Sequence, residues 1–128
     1  MVDASVVVSA LADDGDDGDL ARRRLRGEQL CAPEILELEV TSALRRLLGA
    51  GDLDERRADL ALGDLSDLDV RRVGHRALLL RVWELRHTVT TYDAAYVALA
   101  ETIDAVLVTA DRRLSAASGP RCAIEVLT

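Results

Sequence analysis

The run Ala105-Val106-Leu107-Val108-Thr109, followed by Ala110-Asp111, decides the fold. It is apolar without alternation and of strand length, the pattern of a strand covered on both faces, as in a parallel sheet flanked by helices. An acid follows two residues after it. In open α/β sheets ligands bind beyond the carboxyl ends of the strands, so the same stretch nominates Asp111 as a site residue.

Working outward, Thr90 and Thr91 offer N-caps for a helix from Tyr92 to about Thr102. Beyond Asp111, a short helix to Ala117, a Gly119-Pro120 turn and a strand over Cys122–Leu127 complete the C-terminal third. At the other end Met1–Asp3 reads as a short strand closed by an acid. Ala4–Ala12 follows; Val6-Val7-Val8 favours strand, but its length and Ser9-Ala10-Leu11-Ala12 favour helix, and helix is the expectation. Asp13–Asp19 reads as an acidic, glycine-punctuated loop, Leu20–Arg26 as a short helix and Gln29–Ala32 as a strand. Pro33 opens a helix over Glu34–Leu48 that stops at Gly49. Asp52 caps a helix over Leu53–Leu65; Val70–Val73 is a strand, and His75–His87 a helix whose Trp83 is expected in the core, the alternative being a dimer or antitoxin surface. Helices alternate with strands, so the expectation is an α/β sandwich with a mainly parallel sheet, in a single domain over residues 1–128.

Composition is compatible with this. Of 128 residues 49% are hydrophobic but only 2% aromatic, so the core must be built from Val, Leu, Ile and Ala. No apolar run approaches the ~18–20 residues that span a bilayer, and an Asp stands where a signal peptide would be basic. A cytoplasmic protein with no membrane partner is expected, with Cys31 and Cys122 reduced and buried. The net charge of −7 argues against a broad electrostatic grip on nucleic acid but not against a nuclease, because clustered acids around a cation reverse the local field.

Two further acids are odd where they stand. On the Glu34–Leu48 helix the apolar stripe runs through Ile35, Leu36, Val40, Ala43, Leu44 and Leu47, and at about 100° per residue Glu39 falls inside it. Asp93 has Tyr96, Val97 and Ala100 as its neighbours on the helical face. A buried carboxylate costs several kcal/mol unless partnered. Were Asp3, Glu39, Asp93 and Asp111 to share one pocket, two of them ~5 Å apart would repel by roughly 3 kcal/mol at an effective dielectric near 20. Mg²⁺ or Mn²⁺ relieves that best, and no His or Cys stands near for zinc.

Other readings fail on particular residues. All basic residues are arginine; response-regulator receivers and haloacid-dehalogenase-type phosphatases need a lysine. Asp13–Asp19 satisfies no register of an EF-hand loop. His75 and His87 lie too far apart to share one turn.

Four blocks, in order along nearly the whole chain, resemble PIN-domain proteins and especially the VapC-type toxins: Val2-Asp3-Ala4-Ser5, Glu39 followed by Thr41-Ser42-Ala43-Leu44, Thr91-Tyr92-Asp93-Ala94-Ala95-Tyr96-Val97-Ala98-Leu99-Ala100, and Leu107-Val108-Thr109-Ala110-Asp111-Arg112-Arg113-Leu114. The resemblance implies a three-layer α/β/α fold with a five-stranded parallel sheet of order 3-2-1-4-5. It implies a Mg²⁺- or Mn²⁺-dependent endoribonuclease, the toxin of a type II toxin–antitoxin pair, homodimeric, acting on RNA and restrained by a cognate antitoxin through which alone it meets DNA. Asp3, Glu39, Asp93 and Asp111 carry over as the metal-binding and catalytic quartet, with Ser5 and Thr109 in support. Arg112, and behind it Arg113, are candidates for the RNA backbone. Only Met1 and Val2 precede the first acid, where the family has one or two more apolar residues, so the first strand is expected to be short or the start to lie upstream. The alternatives are a PIN nuclease of RNA processing outside any toxin pair, or a non-catalytic module on a PIN scaffold.

Overall fold

The computed structural model describes residues 1–128. The chain runs α1 (Ala4–Ala12), α2 (Asp16–Leu25), β1 (Leu30–Pro33), α3 (Leu36–Gly49), α4 (Glu55–Asp67), β2 (Val70–Val73), a 3-10 turn (Arg76–Leu78), α5 (Leu79–Glu84), α6 (Thr91–Thr102), β3 (Leu107–Thr109), α7 (Arg112–Ala116) and β4 (Ile124–Val126). The α/β class is as expected.

The decisive strand is β3, buried along its length. It pairs in parallel with β4, Leu107 opposite Ile124 and Thr109 opposite Val126. β1 and β2 form a second parallel pair, Leu30 opposite Val70 and Pro33 opposite Val73. Between them lies the N-terminal segment, which forms a single bridge, Val2 to Val108, rather than a strand. Val108 N donates to Met1 O at 2.9 Å and Asp3 N to Val108 O at 3.2 Å, while Val2 N donates to Cys31 O at 3.2 Å. Ladder pairing stops there because Asp3 already caps α1, its side chain accepting from Val6 N at 3.3 Å.

The helix α6 explains why so aliphatic a chain has a core. Ala94 to Ala100 are all buried, so the helix is apolar all round and runs through the interior. Its alanines admit close neighbours, and Tyr96 is the largest fully buried side chain.

Several elements differ from the sequence reading. Asp13–Asp19 is not all loop: α2 begins at Asp16, and Asp16, Asp17 and Asp19 occupy its first turn, where the helix dipole favours acids. Pro33 ends β1 instead of opening α3, and the cap of α4 is Asp54, accepting from Arg57 N at 2.7 Å, rather than Asp52. The His75–His87 helix shrinks to a 3-10 turn and six residues of α5. Leu78, Val82 and Leu85 fill its inward face, so Trp83 is turned out, 67% exposed beside Leu79 and Leu80. The helix is moored by Arg81, which donates to Glu101 of α6 at 2.8 and 3.0 Å and to Gly119 O at 2.8 Å. That guanidinium holds the Glu101 carboxyl below the usual range. Cys31 and Cys122 are free thiols, as expected, but only half-buried.

Candidate metal and catalytic site

All four nominated acids line one open cavity of about 580 Å³, together with Ser5, Ser9, Ala43, Arg46, Ala50 and Asp52. Each arrives on a different element. Asp3 is the N-cap of α1, Glu39 lies one turn into α3, Asp93 in the first turn of α6, and Asp111 is the N-cap of α7. Three of them therefore stand at or beside helix N-termini, whose unpaired N–H groups offset some of the repulsion of gathered anions.

Asp3 is the most deeply held. It is 6% exposed and accepts from the hydroxyls of Ser5 and Thr109. Burial pushes its carboxyl up; the two hydroxyls and Val6 N oppose this, and Asp93 adds to it. The hydroxyls have second duties: Ser5 Oγ accepts from Ala110 N at 2.9 Å, and Thr109 Oγ1 from Asp111 N at 3.0 Å. The N-terminus of α1 is thus stitched to the end of β3, and Asp3 through Thr109 to the backbone of Asp111.

Glu39 is half-buried, and its Oε1 is fully buried without a hydrogen-bond partner. Tyr96 Oη is the other such atom. The two groups lie close enough to affect each other's titration but outside good hydrogen-bonding geometry. Burial raises the Glu39 carboxyl, Tyr96 lowers it, and Asp93 and Asp3 raise it further. Burial and these neighbouring acids push the Tyr96 hydroxyl far up, so it stays protonated. Asp93 makes no side-chain hydrogen bond; its backbone N donates to Thr90 Oγ1 at 3.4 Å, closing the cap of α6. Asp111 accepts from the Arg113 backbone at 2.9 Å and from its guanidinium at 3.2 Å, and that guanidinium holds its carboxyl low.

The cavity gathers the quartet on its wall, but as the side chains stand no three acids converge to chelate one ion. The residues nevertheless fit a divalent cation of the hard kind. Every donor is an oxygen, and the orphaned Glu39 Oε1 is a buried anion atom that a cation would satisfy. Among the supporting residues Ser5 and Thr109 are in contact with the quartet, whereas Arg112 is exposed on α7 and does not line the cavity. The basic residue that does, Arg46, was missed by the sequence reading because Arg45-Arg46 looks like a solvated pair. The signal was present: Glu39, Ala43, Arg46 and Ala50 follow at intervals of four, three and four, one face of α3.

If this stitching holds the site together, Thr109→Val should cost about 1–3 kcal/mol, because Asp3 loses a buried donor and the Asp111 amide its acceptor. Urea unfolding at neutral pH checks it; a midpoint equal to wild type would show that the hydroxyl is not what holds Asp3.

Residues 1–120 match the model of the PIN domain family. Ribonuclease VapC1 of Mycobacterium tuberculosis strain H37Rv is 42% identical over 128 residues, covering 99% of this chain and 96% of that protein. Ribonuclease VapC9 of the same strain is 39% identical over 127 residues, with 99% and 97% covered. The crystal structure of PAE2754 from Pyrobaculum aerophilum superposes with a TM-score of 0.68 at 28% identity, covering 98% of this chain and 81% of that one. The chain belongs to the PIN domain family and, within it, to the VapC-type ribonucleases.

Proposed function

We propose that the protein is an endoribonuclease dependent on Mg²⁺ or Mn²⁺, the toxin of a type II toxin–antitoxin pair, that hydrolyses RNA phosphodiester bonds at the four-acid cavity. The observation that carries this is the meeting of Asp3, Glu39, Asp93 and Asp111, remote in sequence, on the wall of one cavity with a buried carboxylate oxygen left unpartnered. The names of the relatives, ribonucleases of the VapC type, support the substrate class and the antitoxin partner.

In this reading Asp3, Asp93 and Asp111 would hold the cation, directly or through water, and Glu39 would hold a second ion or its hydration. Bound there, the ion supplies Lewis acidity toward the phosphate and an acidified water nucleophile. The protein's own groups set the stage. Ser5 and Thr109 fix the Asp3 carboxylate by donating to both its oxygens. The protonated Tyr96 hydroxyl beside Glu39 is a donor that favours the charged form of that carboxylate. Arg112, exposed on α7, is available to the RNA backbone.

We also infer that residues 1–128 make one PIN domain, with Met1–Asp3 serving as the middle member of a sheet of order 3-2-1-4-5; its bonds to Cys31 and to Val108 support that order. The bare apolar face of α5, Leu79, Leu80 and Trp83, favours a homodimer. No helix is long and apolar enough to cross a membrane. The cytoplasm, where RNA and a co-expressed antitoxin would be met, is the location that goes with this reading.

The test is incubation of purified protein with total RNA, with Mg²⁺, with Mn²⁺, or with excess EDTA, followed by mapping of the cut ends. Cleavage at defined positions with either metal and none with EDTA is expected. Undiminished cleavage in EDTA, or none under any condition, would sink it.

A further inference from the structure

We infer that Arg46 is the substrate-positioning residue of the cavity, binding a backbone phosphate of the RNA strand that flanks the bond being cut. The inference rests on the ribonuclease reading above.

Arg46 is the only basic residue lining the cavity, against the acids Asp3, Glu39, Asp52, Asp93 and Asp111. A polyanionic strand must enter a field set by these acids, in a chain whose net charge is −7. Most other arginines near the site are already engaged. Arg113 is held on Asp111. Arg57, the one cation of the neighbouring cavity, donates to Asp14 and to Leu11 O. Arg22 is spent on Asp19, Ala10 O and Asp13 O. Arg46 takes part in none of the ion pairs.

Its place on α3 fits the role. Seven residues after Glu39, it stands on the same face about 10 Å further along the axis. Helical side chains lean toward the N-terminus, so the Arg46 guanidinium leans back toward the acids. Between and beyond the two lie Ala43 and Ala50, both lining the cavity, whose small side chains leave the floor of a path open. A phosphate being cut belongs among the carboxylates and their cation. The next phosphate along the strand lies within reach of Arg46, whose guanidinium can engage it by two parallel N–H donors. Lysine could supply charge there but not the fork.

The experiment compares wild type, Arg46→Ala and Arg46→Lys with a short fluorescein-labelled single-stranded RNA of mixed sequence. Cleavage kinetics are followed in Mn²⁺, and binding is followed by anisotropy across a range of KCl in Ca²⁺. Arg46→Ala is expected to raise KM roughly tenfold while kcat changes less than about threefold, and to flatten the dependence of log Kd on log salt by roughly 0.7, the loss of one single-strand phosphate contact. Arg46→Lys should restore the salt slope but only part of the KM. A merely structural role would move neither the slope nor its rescue. A wild type that cuts and binds, with an Arg46→Ala variant of unchanged KM and slope, overturns this inference alone. A wild type that neither cuts nor binds RNA overturns the ribonuclease reading and this inference with it.

Discussion

Asp93→Asn is expected to lower RNA cleavage by roughly a thousandfold or more while leaving the melting temperature equal to or above that of wild type. The activity loss follows from removing a charge at which the cation would be held, since Lewis-acid stabilisation is a matter of several kcal/mol and each 1.36 kcal/mol is about tenfold in rate. The stability expectation follows from what Asp93 touches. Its carboxylate makes no hydrogen bond, yet its charge raises the carboxyls of both Asp3 and Glu39, so the metal-free fold carries their mutual repulsion. That repulsion stands against the ~0.3–1 kcal/mol gained from an acid in the first turn of a helix. Asparagine keeps the shape and removes the repulsion at both carboxyls. Asp93 suits this test better than Asp3, because an amide at position 3 would face hydroxyls that already accept from Ala110 N and Asp111 N. Melting with added Mn²⁺ sharpens it: a ligand at 100 times its Kd stabilises by about 2.7 kcal/mol, a gain expected of wild type and largely lost in Asp93→Asn. A variant that unfolds readily but keeps its specific activity would make Asp93 a structural residue and end the metal reading.

The acids could be found in the sequence because each breaks a local rule: Glu39 and Asp93 interrupt apolar helical faces, and Asp3 and Asp111 stand where strands end. Such violations survive at sites where function demands them. In the structure Asp111 follows β3, whereas Asp3 follows a single bridge rather than a strand; both also serve as N-caps, so a commonplace role and the proposed one fall on one side chain. What could not be read were features set by tertiary packing. Trp83 belongs by type in a core, but a helix as short as α5 has room for one inward row, and Leu78, Val82 and Leu85 take it. Arg46 is solvated by composition, and only knowing that the Glu39 face borders a cavity gives it a role. The geometry of Asp13–Asp19 was hidden for a third reason. Acids and glycines together read as a loop, yet acids also suit a helix N-terminus, and nothing local distinguishes a glycine that turns the chain from one that lets two helices touch.

Gly18 is of the latter kind, and it carries the second large effect. It lies inside α2, buried against the end of α1, with no unusual backbone angle. A Cβ there would stand 1.8 Å from Asp13 O and 2.7 Å from Asp13 C. Those are backbone atoms, and Asp13 O also accepts from Arg22 at 2.8 Å, so it has little freedom to withdraw. Gly18→Ala therefore has to separate α2 from α1, at the upper end of the ~1–3 kcal/mol typical of overpacking. Alanine's better helix propensity returns up to about 1 kcal/mol. The net expectation is a loss near 2 kcal/mol, a fall in Tm of roughly 5–10 °C. Gly63 provides the contrast. It too lies inside a helix, α4, but a Cβ there meets nothing within 4 Å. Gly63→Ala should raise stability by about 0.5–1 kcal/mol, since only the propensity and the unfolded-chain entropy remain. The same substitution with opposite signs in two helices isolates the contact between α1 and α2 as the cause. Calorimetry of both variants decides it: if Gly18→Ala also stabilises, then α2 does not pack against Asp13, and the start of that helix is the loop its composition suggests.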